Sequence, residues 1–207
     1  MILEGLGWRV PVNSGARRDT IVVRSVLKPV RQPSDLLPAY RGTPIEDLFA
    51  FHNFGAVSDP YANPALLIGM CMDHRSRLRI PENFAYVMRT AGANLRGLEF
   101  QVSFAIGVGG VQAIALIGHD DCGMQDLMGR RCEMNAGLVE RAGWEREAAE
   151  RHFDELADRF AIPSAAGFIR SQARHLRQQY PEVLVAPLMY RLDGGMLEQL
   201  DDPVEGG

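Results

Sequence analysis

Ala65-Leu66-Leu67-Ile68-Gly69-Met70 runs directly into Cys71-Met72-Asp73-His74-Arg75, and Ala113-Ile114-Ala115-Leu116-Ile117-Gly118 runs into His119-Asp120-Asp121-Cys122. Short continuous apolar runs with β-branched residues read as strands buried on both faces, the pattern of a parallel sheet. In an open sheet of that kind, sites form just beyond the carboxyl ends of the strands. Two such ends, one presenting Cys71 and the other His119 and Cys122, are placed to converge on one ion. Two thiolates and one imidazole suit zinc, and three protein ligands leave a fourth coordination position open. His119 and Cys122 also lie in a turn punctuated by Gly118 and Gly123, a spacing short enough to chelate. Each cluster alone is a weak signal; their joint placement at two strand ends is the strong one. The competing reading is a buried structural cysteine and an unrelated surface histidine.

These residues resemble the β-class carbonic anhydrases. That family's Cys-x-Asp-x-Arg motif matches Cys71, Asp73 and Arg75, and its His-x-x-Cys-Gly motif matches His119, Cys122 and Gly123. Its Arg-Asn-Ala-Gly segment is approximated by Arg89-Thr90-Ala91-Gly92, followed by Asn94, and Ser103–Val111 is similar to its approach to the histidine strand. The resemblance covers residues 65–124, is faint over 183–198, and is absent at the N-terminus. It implies an α/β fold with a mostly parallel central sheet flanked by helices. It also implies a Zn2+ cofactor on Cys71, His119 and Cys122, and reversible hydration of carbon dioxide to bicarbonate by hydroxide on that zinc. Asp73 then accepts the hydroxide's hydrogen, and Arg75 forks onto Asp73 to hold it ionised and oriented. A second role follows from the same resemblance: after a loop shift, Asp73 takes the fourth zinc position and closes the site. His74 is a weaker candidate for a proton shuttle, because alternation along an extended segment points it away from Asp73 and Arg75.

Two departures bear on substrate. The connection after Arg75, residues 76–83, is short and polar, and Thr90 stands where the family has Asn. The short connection, together with the unusual N-terminus, keeps open a sister reading in which the same zinc site hydrolyses carbonyl sulfide or carbon disulfide. A third reading, from another class, is a non-catalytic scaffold with structural zinc, against which the Asp73–Arg75 pair argues.

Composition narrows the class. The 207 residues, 46% hydrophobic, suffice for one substantial core, and a formal net charge of −4 offers no footprint for nucleic acid. No apolar run approaches bilayer-spanning length and the N-terminus has no signal-peptide pattern. Three cysteines, two of them assigned as ligands, argue against a disulfide framework and point to a reducing cytoplasm. The expected partners are a small-molecule substrate and further copies of the chain, as a homodimer or higher even oligomer.

Along the chain, residues 1–44 read as an extended N-terminal arm broken by Gly and Pro, with a strand over Thr20–Leu27. Residues 45–200 read as a single α/β zinc-binding domain and 201–207 as an acidic tail. Thr43-Pro44 opens a helix, with Glu46 and Asp47 at its positive end. Phe51, Phe54 and Tyr61 after it are candidates for a pocket wall, with core packing the competing role. A strand is expected at Phe84–Met88 and helices over 95–110, 125–141, 145–160 and 165–179. Strands follow over 183–192 and Met196–Leu200, joined by a turn at Asp193-Gly194-Gly195. Cys132 reads as an ordinary helix or core thiol.

Overall fold

The computed structural model describes residues 27–201. The strand expected over Thr20–Leu27 therefore lies outside the described residues except for Leu27, as do tail residues 202–207. Six strands form one sheet in the order β1-β6-β5-β4-β2-β3. They are β1 (Leu27–Pro29), β2 (Leu66–Cys71), β3 (Ala85–Thr90), β4 (Ala113–His119), β5 (Leu184–Arg191) and β6 (Met196–Leu200). The pairs β2–β3, β2–β4 and β4–β5 are parallel; β5–β6 and β1–β6 are antiparallel. The mostly parallel α/β architecture is thus present.

Every residue of β2 and β4 is buried. Alternation sorts their side chains into two cores, because successive side chains leave a strand on opposite faces. Leu66, Ile68, Met70, Ala115 and Ile117 pack with Ile45, Leu48 and Phe49 of α1 (Pro44–His52). Leu67, Ile114 and Leu116 pack on the other face against Val102 and Ala105 of α2 (Glu99–Gly107) and Ile169 and Ala173 of α5 (Ala165–Gln179). Each such Leu or Ile, fully buried, contributes about 1.5–3 kcal/mol. Two further helices, α3 (Arg131–Ala142) and α4 (Arg146–Phe160), pack against each other.

Capping explains several boundaries. Thr43 Oγ1 accepts from Ile45 N–H at 3.2 Å at the start of α1, and Ser164 Oγ accepts from Gly167 N–H at 3.0 Å at the start of α5. Gly143, at φ 71°, ends α3 in the left-handed conformation that a side chain disfavours.

The structure also corrects details. The second helix begins at Glu99 rather than 95, after a turn through Gly97 at φ 83°. The helix expected from 125 is preceded by two 3-10 turns, Gly123–Asp126 and Met128–Arg130, and becomes α-helical only at Arg131. β3 begins one residue later and ends two residues later than Phe84–Met88, which takes Arg89 into the strand. Residues 30–44 lead into α1 and contribute Val30, Leu36 and Tyr40 to the core. Phe51, Tyr61 and Phe84 form an edge-to-face cluster with centroid separations of 5.0–6.2 Å, so Phe51 and Tyr61 serve the core. Cys132 is exposed on α3, a helix thiol and not a core one.

Candidate metal centre

Parallel register brings the two ligand-bearing ends together. Met70 lies opposite Ile117, so the last residue of β2, Cys71, and the last of β4, His119, leave the sheet side by side. The chain then turns through Asp120 and Asp121, the latter at φ 52°, and returns Cys122 to the same point. Cys71 Sγ and Cys122 Sγ are 3.9 Å apart. With a His119 ring nitrogen they form a buried triad whose ligand atoms all lie within 4.8 Å of one another.

His119 is oriented for ligation. Its Nδ1–H donates to the Asp120 carbonyl at 2.6 Å, which fixes the tautomer and leaves Nε2 as a lone-pair donor. Nε2 is buried and has no hydrogen-bond partner among the described residues. A buried polar atom without a partner is costly, and an imidazole nitrogen left so beside two thiols could take a metal ion as its partner. The turn is anchored from outside: Asp120 Oδ1 accepts from Leu192 N–H at 2.8 Å and Arg191 lies 3.5 Å from Oδ2.

The thiols are electrostatically unequal. The hydrogen bond from Cys122 lowers the Cys71 pKa to about 4 against the opposing effect of burial, helped by His119. Cys122 goes up, because it holds the proton that Cys71 gives away and is itself buried. Burial disfavours the His119 imidazolium, but the neighbouring Cys71 thiol group and the Asp120 carbonyl outweigh that and raise its pKa.

Asp73 and Arg75 lie at the rim. Arg75 Nε donates to both Asp73 carboxylate oxygens at 3.0 and 3.2 Å, its NH2 donates to Oδ2 at 2.7 Å, and its backbone N–H donates to Oδ1 at 2.9 Å. The Arg75 guanidinium holds the Asp73 carboxyl well below the usual carboxylate range. Asp73 Oδ2 stands 3.8 Å from His119 Nε2, while its carboxylate remains engaged with Arg75. His74 is exposed.

Two contributors were not assigned from the sequence. Arg89, near the end of β3, donates to the carbonyls of Cys71 at 3.1 Å, Asp73 at 3.3 Å and Ser76 at 2.8 Å. It thereby ties down the loop that carries Cys71, Asp73 and Arg75. Asp121 accepts from Arg75 NH1 at 2.8 Å. Arg89 was visible as a charged residue inside the Arg89-Thr90-Ala91-Gly92 segment; nothing local signals the Asp121 contact, which bridges two loops 46 positions apart. Thr90, the departure from the family's Asn, has its hydroxyl buried without a partner among the described residues.

No protein-family model matches the chain, and no curated protein matches it in sequence. Solved structures do match. A carbonic anhydrase from Glaciozyma antarctica is similar at 23% identity and TM-score 0.53, over 78% of this chain and 98% of that one. A β-carbonic anhydrase from Trichomonas vaginalis is similar at 20% identity and TM-score 0.53, over 70% and 87% of the two chains. The chain has the β-carbonic anhydrase fold. Within the same fold, a carbon disulfide hydrolase is similar at 16% identity and TM-score 0.52, over 71% of this chain and 83% of that one. In this β-carbonic anhydrase fold, Cys71, His119 and Cys122 form a group that could hold a metal ion.

Proposed function

We propose that the protein is a zinc enzyme that hydrates carbon dioxide reversibly to bicarbonate, with zinc held by Cys71, His119 and Cys122. The observation that carries this reading is the buried, unpartnered His119 Nε2 set beside two thiols, with an Arg-locked carboxylate 3.8 Å away. A purely structural zinc site needs no such carboxylate. When bound, zinc supplies the Lewis acidity that makes water a competent nucleophile near neutral pH.

The chain's own residues supply orientation. Asp73, kept ionised by Arg75, has only acceptor oxygens, so it fixes the direction of a nucleophile's O–H by accepting its hydrogen. Arg75 also keeps Asp73 from wandering into the ligand set. Arg89 holds the backbone of both residues' loop through three carbonyls. His119 keeps Nε2 free by spending its proton on Asp120.

A second substrate class, carbonyl sulfide or carbon disulfide, is favoured by one observation. A cavity of about 190 Å3, lined by Ala91, Met124, Leu127, Met134, Phe153 and Phe160 among others, is almost wholly apolar. Its Met124 is two residues beyond Cys122. The active unit in this reading is a homodimer or higher even oligomer. Edge strand β3 supports it: Phe100 and Phe104 of α2, 81% and 48% exposed, line a groove with its Tyr86, Val87 and Met88. Such an apolar patch is what an interface covers.

The test measures metal content and turnover on one sample, with carbon dioxide, carbonyl sulfide and carbon disulfide compared side by side. About one zinc per chain is expected, with carbon dioxide the fastest substrate. Asp73→Asn and Arg75→Ala should each lower turnover on the order of 10–100-fold while zinc stays bound. Wild-type rates in either variant would leave the pair without a catalytic role.

A further inference from the structure

We infer that Asp121 is a positioning residue for the reaction: it holds Arg75, and through Arg75 it aims Asp73. This rests on the hydration reading above for its catalytic consequence, and on geometry alone for the clamp.

The Arg75 guanidinium is gripped from two loops. From its own loop, Asp73 takes Nε and NH2. From the His119–Cys122 loop, Asp121 takes NH1 on Oδ2 at 2.8 Å and NH2 on its backbone carbonyl at 3.1 Å. A planar fork held along two edges has its plane fixed, whereas one partner leaves it free to swing about that partner. Asp73 cannot supply the second grip, because it sits two residues away on the same segment and moves with Arg75. Asp121 can, since its loop is tied to the sheet by His119 and to β5 and its following turn by Asp120. The Arg75–Asp121 contact therefore links the loop carrying Cys71 to the loop carrying His119 and Cys122.

Asp121's own state fits this role and little else. Its side chain is 81% exposed, so it packs against nothing, and Arg75 is its one ion-pair partner among the described residues. Its φ of 52° is a conformation most side chains disfavour but Asp and Asn tolerate. That backbone presents carbonyl and carboxylate together to one guanidinium. An exposed pair of this kind adds little to stability, so its value is directional.

Two variants separate side chain from backbone. Asp121→Asn keeps the shape and the left-handed tolerance and removes the charge; Asp121→Gly relaxes the backbone and removes the side chain. In zinc-loaded protein both should lower kcat for carbon dioxide hydration about tenfold, with KM, metal content and thermal midpoint unchanged. In an Arg75→Ala background the same changes should alter the residual rate by less than about twofold, because a residue acting through Arg75 has nothing left to position. A readout independent of turnover is the Arg75 Nε–H resonance in 15N-labelled protein, assigned by its loss in Arg75→Ala. It should be protected from exchange in the wild type and lose protection in Asp121→Gly. If the wild type fails to hydrate carbon dioxide but this resonance still responds, the hydration reading falls and the clamp stands. Unchanged kcat and unchanged resonance in both variants overturn the clamp. So does an equal loss of rate in the presence and absence of Arg75, or an unresponsive resonance in an inactive wild type.

Discussion

His52 offers a prediction in which pH and packing meet. It is 1% exposed at the end of α1, and both ring nitrogens are used. Arg79 N–H donates to Nδ1 at 3.0 Å, and Nε2–H donates to the Gly195 carbonyl at 3.0 Å, so one neutral tautomer satisfies both. The ring thus bridges the connection after Arg75 to the turn between β5 and β6. Burial lowers its pKa below the ordinary 6.5, opposed by the Gly195 bond and assisted by Arg79. The unfolded chain therefore binds a proton at His52 more readily than the folded one. Its stabilising contribution is complete above about pH 6.5 and is lost as pH falls towards the folded value, with a slope of at most about 1.4 kcal/mol per pH unit. His52→Leu strands a carbonyl and an N–H that are both partly buried, at about 1–3 kcal/mol each, so a loss of about 2–6 kcal/mol is expected at pH 7.5. His52→Gln removes the titration. Urea unfolding of wild type and His52→Gln between pH 5 and 7.5 isolates the histidine, since every other group cancels in the difference. The difference should shrink steadily as the pH is lowered through 6.5. A difference independent of pH would refute the reasoning.

Two further outcomes follow from the site's framework. Gly118 precedes His119, and a Cβ there would lie 2.9 Å from Ile169 Cγ1 and 3.0 Å from Met189 Sδ. Gly118→Ala should therefore push α5 from the sheet, cost about 1–3 kcal/mol in urea unfolding and weaken metal retention against a chelator; an unchanged midpoint would show that Ile169 and Met189 give way freely. Cys132→Ser should leave metal content and stability unchanged because that thiol is exposed on α3, while Cys122→Ser should abolish stoichiometric metal binding, both read by elemental analysis after gel filtration.

The two central strands were legible because burial on both faces leaves only apolar residues, and their ends because metal ligands are chemically conspicuous. Met196–Leu200 and 165–179 match the structure residue for residue, each bounded by strong punctuation: Gly194-Gly195 before one, Ser164 before the other. The stretch after Cys122 misled because its composition is helical while Gly123 and Gly129 permit tighter turns that composition does not report. The start of α2 was placed too early for a related reason: Leu98 fits the apolar stripe, but Gly97 at φ 83° turns the chain just before it. Within the site, Cys71, His119 and Cys122 could be named from residue type and spacing. The grip of Asp121 on Arg75 could not, since it depends on how two loops meet in three dimensions.

The positions of Cys71 and Cys122 have a topological meaning as well as a chemical one. They are 51 residues apart in the chain, and the segment between them contains β3, α2 and β4. An ion that stays on both thiolates as the protein unfolds converts that half of the sheet into a closed ring. On the chain-entropy model, a cross-link around a ring of that size disfavours the unfolded ensemble by about 4 kcal/mol, as much as a well-placed disulfide. The same atoms that prepare the ion for chemistry would thus staple together two strands distant in sequence. Heat resistance and resistance to chelation would then rise and fall as one property.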